Sequence, residues 1–150
     1  MWTSEVSIDV DVPTAEVYTY LADFVRHREW SSAGMAELKQ LTPGPVVVGS
    51  EFQASETVPA KVVTHSRITT LEPNRRIAWH SWFRSLMAAD WEFELAEHDG
   101  GTHLVQRSRW QPGNLGMALF HMLVRRRRIP VENLHSLERI KAALEKVGVA

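Results

Sequence analysis

Apolar and polar residues recur along this chain with two different periods, and the change from one to the other divides it into a strand-rich body and a helical end. Val6, Ile8, Val10 and Val12 alternate with Ser7, Asp9 and Asp11, the pattern of a half-buried strand. Pro13 stops that strand and suits the first turn of a helix, where Glu16 favours the positive end of the dipole and Val17, Tyr18 and Leu21 turn inward. Asp23 is placed to cap a second short helix, Phe24 to Trp30, after which Ser31, Ser32 and Gly34 break the pattern. A weak strand over 36–41, a turn at Pro43-Gly44-Pro45 and a strand carrying Phe52 and Ala54 follow.

From there the chain reads almost entirely as strand. The segments 61–72, 75–84, 87–96 and 101–110 are separated by the turn signals Glu72-Pro73-Asn74 and His98-Asp99-Gly100-Gly101, and such short connections predict antiparallel neighbours. Ala89, Trp91, Phe93 and Leu95 alternate with Asp90, Glu92 and Glu94. Pairing Leu95 with Thr102 sets Phe93 beside Leu104, Trp91 beside Gln106 and Ala89 beside Ser108 on one inner face, with Ile77, Trp79, Ser81 and Phe83 as partners from the preceding strand. Trp82 falls on the opposite, exposed parity.

The period then lengthens. Leu115, Leu119, Met122, Arg126, Ile129, Asn133, Leu137, Ile140, Leu144 and Val147 recur every three or four residues, which predicts one amphipathic helix from Asn114 to Val147, roughly 50 Å long at about 1.5 Å per residue. Pro130 should kink it near Arg126. Arg126 and Asn133 place polar groups on the apolar stripe, which a helix packed flat on a sheet would not want and a helix across a partly hydrated cavity would use. Of the run Arg125-Arg126-Arg127-Arg128, three side chains can be solvated and one must face the sheet, because successive helical residues step about 100°. The stripe assigns that role to Arg126.

Composition changes the picture in a few places. One hundred and fifty residues, 44% hydrophobic, make one well-formed core, hence a single domain. Seventeen basic and eighteen acidic residues leave a charge of −1, so no global field recruits nucleic acid, and balanced charge also argues against reading the arginine run as an anionic-surface patch. Without cysteine, disulfides, thiolate nucleophiles and thiolate metal sites are excluded. No stretch approaches the ~18 apolar residues of a membrane span, so a cytoplasmic protein without membrane insertion is expected.

The order strand, two short helices, six antiparallel strands and a long final helix is an α+β plan in which a curved sheet grips one helix. Several stretches carry a specific resemblance: Val12-Pro13-Thr14 through Asp23-Phe24 to Glu29-Trp30, Gly44-Pro45 followed by Gly49-Ser50-Glu51-Phe52, Ile68 to Trp79, Trp91 to Leu95, Gly100 to Leu104, and Glu132-Asn133-Leu134. On these the chain resembles the polyketide cyclase/dehydrase-like branch of the START-like (SRPBCC) superfamily over essentially its whole length. The resemblance implies a helix-grip fold with a deep apolar pocket between sheet and long helix. Carried onto this chain, the pocket wall would comprise Trp79, Trp91, Phe93, Gln106, Ser108 and Trp110 from strands, Leu119, Met122, Leu123, Arg126 and Asn133 from the helix, and Phe24 and Trp30 from the short helices. The bland alternative is that these aromatics only fill a core.

Conventional catalytic signatures are absent: no Gly-x-Ser-x-Gly elbow, His-Glu-x-x-His, phosphate loop or dinucleotide fingerprint. The seven histidines, at 27, 65, 80, 98, 103, 121 and 135, show no metal-ligand spacing, and no metal or cofactor is expected. Two function classes remain: a domain binding a hydrophobic small molecule such as a lipid or polyketide, or a polyketide cyclase/dehydratase-type enzyme without a recognisable catalytic set. A protein-partner regulator is a third, weaker reading hinted at by Trp82, and the chain is expected to be a monomer or homodimer.

Overall fold

The computed structural model describes residues 2–31, 34–57 and 61–148, the side chains of 147 and 148 excepted; Ser32 and the Val147 side chain named above lie outside the described residues. Among the described residues, seven antiparallel strands form one sheet in the order β1-β7-β6-β5-β4-β3-β2. They are β1 (Ser4–Val10), β2 (Met35–Gln40), β3 (Glu51–Glu56), β4 (Val62–Glu72), β5 (Arg76–Phe83), β6 (Met87–His98) and β7 (Gly101–Pro112). Between β1 and β2 come helix α1 (Thr14–Ala22) and a 3₁₀ helix, Phe24–Glu29. Asp23 precedes the 3₁₀ helix, but its side chain makes no capping bond.

The expected parity of the strands is observed and the expected register is not. Leu95 pairs with Leu104, Phe93 with Gln106, Trp91 with Ser108 and Ala89 with Trp110, a shift of two residues from the sequence reading. The cause is the turn. Asp99 and Gly100 alone form it, both with positive φ of 48° and 81°, the primed two-residue geometry that lets His98 pair directly with Gly101. A shift of two residues keeps every side chain on its face, so the core is unaffected. Phe52, Ile68, Ile77, Phe93, Leu95 and Leu104 close it from the sheet, with Val17, Leu21 and Phe24 from the short helices.

The C-terminal segment is where the fold departs from expectation. It is not one kinked helix. Asn114 caps α2 (Leu115–Phe120), its Oδ1 accepting from the Met117 amide at 2.8 Å. A π turn, His121–Arg125, follows, then a hydrogen-bonded turn at 126–128, and only then α3 (Ile129–Gly148). Pro130 lies in the first turn of α3, where its missing N–H costs no helical bond, so it starts this helix and does not bend a longer one. The second half of the stripe packs as expected: Ile129, Asn133, Leu137 and Ile140 are buried, and Leu144 packs against the core. The break lets the first half rotate independently, and Leu115, Leu119, Met122, Leu123 and Arg126 all face outward.

The position of α2 is set by a close backbone approach. A Cβ on Gly113 would lie 1.7 Å from the Ser85 carbonyl oxygen, and the Gly113 amide donates to the Leu86 carbonyl at 2.8 Å. Only glycine fits there, so the end of β7 is pinned against the β5–β6 turn.

Candidate functional site

Between the concave face of the sheet, the 3₁₀ helix and the C-terminal helical segment lies a cavity of about 430 Å³. Its walls are aromatic. Trp79 and Trp91, neighbours on β5 and β6, lie nearly parallel with ring centroids 6.0 Å apart. Trp110 meets Trp91 edge-on at 5.4 Å, and the His121 ring stacks on Trp110 at 6.2 Å. Five of the six tryptophans, all except Trp2, reach the lining. Trp82 is among them: it is half-buried, stacked against His65 at 5.7 Å and His80 at 5.9 Å, which removes the exposed aromatic that had hinted at a protein partner.

Of the residues expected at this site, Phe24, Trp30, Trp79, Trp91, Gln106, Trp110 and Asn133 line the cavity. Phe93 and Ser108 lie behind the wall. Phe93 is fully buried with its ring 5.5 Å from both Trp30 and Trp79, and the Ser108 hydroxyl accepts from Asn133 Nδ2 and Trp110 Nε1, each at 3.3 Å. Leu119, Met122, Leu123 and Arg126 are corrections: they are exposed on the outer side of α2 and the turn after it. In their place α2 and the π turn present Met117, Phe120, His121 and Arg125 to the cavity.

Arg125, rather than Arg126, is therefore the arginine that turns inward. It holds Glu132 of α3 in a two-pronged ion pair, 2.9 and 3.0 Å, that spans the break between the helices. Its guanidinium also lies 6.0 Å from the Trp110 ring centroid. Glu56 is the second carboxylate on the lining, and burial raises its pKa against the opposing pull of a Thr64 hydrogen bond and the Arg125 charge. Its place was legible, since Phe52, Ala54 and Glu56 share one strand parity.

Two histidines reach the cavity. Burial, helped by the charges of Arg125 and Arg126, lowers the His121 pKa, so its imidazole is neutral at physiological pH. His27 is buried beside Phe24, Trp30 and Trp79, and its Nε2 donates to the Leu21 carbonyl at 3.1 Å. Burial pushes its pKa down to about 3. Three buried polar atoms of the lining residues have no hydrogen-bond partner among the described residues: Trp30 Nε1, Gln106 Oε1 and His121 Nδ1. A buried polar atom left unpaired costs about 1–3 kcal/mol, so the three leave hydrogen-bonding capacity that the described residues do not satisfy.

A curved antiparallel sheet gripping a C-terminal helix, with a tryptophan-walled cavity between them, defines a helix-grip domain. The chain belongs to the family described as polyketide cyclase/dehydrase and lipid transport, which it matches over residues 1–145. It is 33% identical over 96 residues to the uncharacterized protein Rv0088 of Mycobacterium tuberculosis, a match covering 59% of this chain and 39% of that protein. The chain thus spans less than half the length of the curated relatives it matches. Among solved structures it resembles the di-domain ARO/CYC StfQ from the steffimycin biosynthetic pathway, with a TM-score of 0.75 at 19% identity over 97% of this chain and 51% of that one. It also resembles protein CV1439 from Chromobacterium violaceum, with a TM-score of 0.69 at 18% identity over 94% and 95% of the two chains. At such identities the likeness is one of fold.

Proposed function

We propose that this protein binds a hydrophobic small molecule, a lipid or polyketide with a few polar substituents, in the cavity between sheet and C-terminal helices. The observation that carries this reading is the combination of about 430 Å³ of space, tryptophan walls and three unpaired buried polar atoms. A tightly filled core would not leave this space. An environment-sensitive apolar dye should bind saturably and accept energy from tryptophan. Trp91→Ala should weaken it about tenfold, the equivalent of one lost aromatic contact, whereas Trp2→Phe should leave it unchanged. Absence of saturable binding, or equal losses at the two positions, would reject the reading.

A second reading is favoured by one further observation. Glu56 and His121 line the same cavity, and their environments displace their pKa values in opposite senses, the carboxyl upward and the imidazole downward. A carboxyl shifted toward its acid form and an imidazole shifted toward its neutral, basic form in one cavity are the kinds of group that cyclisation or loss of water from a polyketide chain requires. For such an enzyme, Glu56→Gln should cut turnover of a polyketide substrate by about 100-fold with dye affinity preserved. Unaltered turnover in that variant would leave binding as the function.

A further inference from the structure

The segment from Leu115 to Val124 contains one polar residue, His121, and among the described residues nothing covers its outer side. Leu115 is 89% exposed, Leu123 69%, Met122 54% and Leu119 52%. The stripe runs directly into Arg126, Arg127 and Arg128, all exposed and none of them paired with a carboxylate among the described residues. From Gly113 to Val131 there is no acidic residue, and the first that follows, Glu132, is occupied by Arg125. The net charge of −1 is an average over the chain and conceals this local excess.

We propose that α2 and the turn after it form a docking surface for an anionic lipid bilayer, with the leucines and Met122 seated among acyl chains and the three arginines among headgroup phosphates. Leucine side chains this far out of the surface find a matching environment in a fluid apolar phase that shapes itself around them, without a preformed complementary groove. The arginine run supplies the electrostatic half of the interaction. A second copy of the chain fits less well. Two-fold pairing of so short a stripe would bring two such runs together with no carboxylate to offset them. Among the described residues no helix is long and apolar enough to cross a membrane, so the contact is interfacial. The inner side of the same segment presents Met117, Phe120, His121 and Arg125 to the cavity. One short element would thereby meet the bilayer on one side and wall the cavity on the other.

The test is sedimentation of the full chain with vesicles of phosphatidylcholine alone and of phosphatidylcholine with about 30% phosphatidylglycerol. Binding should require the anionic lipid and weaken as salt is raised. Each arginine should contribute about fivefold, so Arg126→Ser, Arg127→Ser and Arg128→Ser together should reduce partitioning by about 100-fold. Leu119→Ser with Leu123→Ser should also abolish detectable binding at unchanged melting temperature, because both side chains are exposed in the free protein. Dye binding in the cavity should survive both sets of changes, which separates this surface from the binding reading above. No sedimentation with anionic vesicles, or equal sedimentation with both compositions, overturns the proposal. A dimer that the leucine changes dissociate, from a protein that ignores vesicles, overturns it in favour of self-association.

Discussion

Between about pH 6 and pH 4 the protein should lose stability as pH falls, at about 1 kcal/mol per pH unit through His27 alone. The folded imidazole has its pKa depressed from 6.5 to about 3 by burial, so in this window the unfolded chain takes up a proton that the folded chain refuses. Stability attributable to His27 is fully present above 6.5 and is lost as pH falls toward 3. Glu56 acts with the opposite sign, because its raised pKa makes stability fall as pH rises from its ordinary 4.5 toward the raised value. Asp9 and Asp90, with lowered pKa values, lose stability on acidification as His27 does. The contribution of His27 is therefore read as a difference. Denaturant unfolding of wild type and of His27→Gln, whose amide can still donate to the Leu21 carbonyl, should give free-energy curves that converge as pH falls through this window. Parallel curves would mean that the imidazole is hydrated and protonates freely.

Replacing Arg125 with Leu should lower stability by about 2 kcal/mol, less than the roughly 3–5 kcal/mol of breaking a fully buried pair. The discount follows from geometry: the Arg125 side chain is 12% exposed and that of Glu132 27%, so water partly solvates the abandoned carboxylate. Glu132→Gln should show the other half of the arrangement. It releases the guanidinium toward the cavity, and binding of a medium-chain fatty acid should tighten about tenfold as a carboxylate takes the place of Glu132. Arg126→Leu, on the outer surface, should change neither melting temperature nor fatty-acid affinity. Thermal melts and titration calorimetry on the three variants decide the matter. A loss at Arg126 with none at Arg125 would contradict the observed orientation of the two side chains.

The strand content, the alternation that gathers Trp79, Trp91, Gln106 and Trp110 on one face, and the buried stripe Ile129, Asn133, Leu137 and Ile140 were all determined by sequence. Local period alone specifies which face a side chain takes, and that holds without knowledge of partners. Glu56 was equally open to that reasoning. Register was not, because sliding a hairpin by two residues leaves every parity unchanged; the positive φ of Asp99 and Gly100 made the choice. The outer and inner sides of 115–124 were beyond periodicity for a different reason. With apolar residues around the whole circumference, a hydrophobic stripe can be drawn on either side, and only the helix break at 126–128 and the anchoring of Gly113 against Ser85 selected one. That selection brought Arg125 to Glu132 and turned Arg126 outward, so the charges at the cavity were decided by tertiary structure, where backbone breaks reset the phase that a sequence pattern assumes to be continuous.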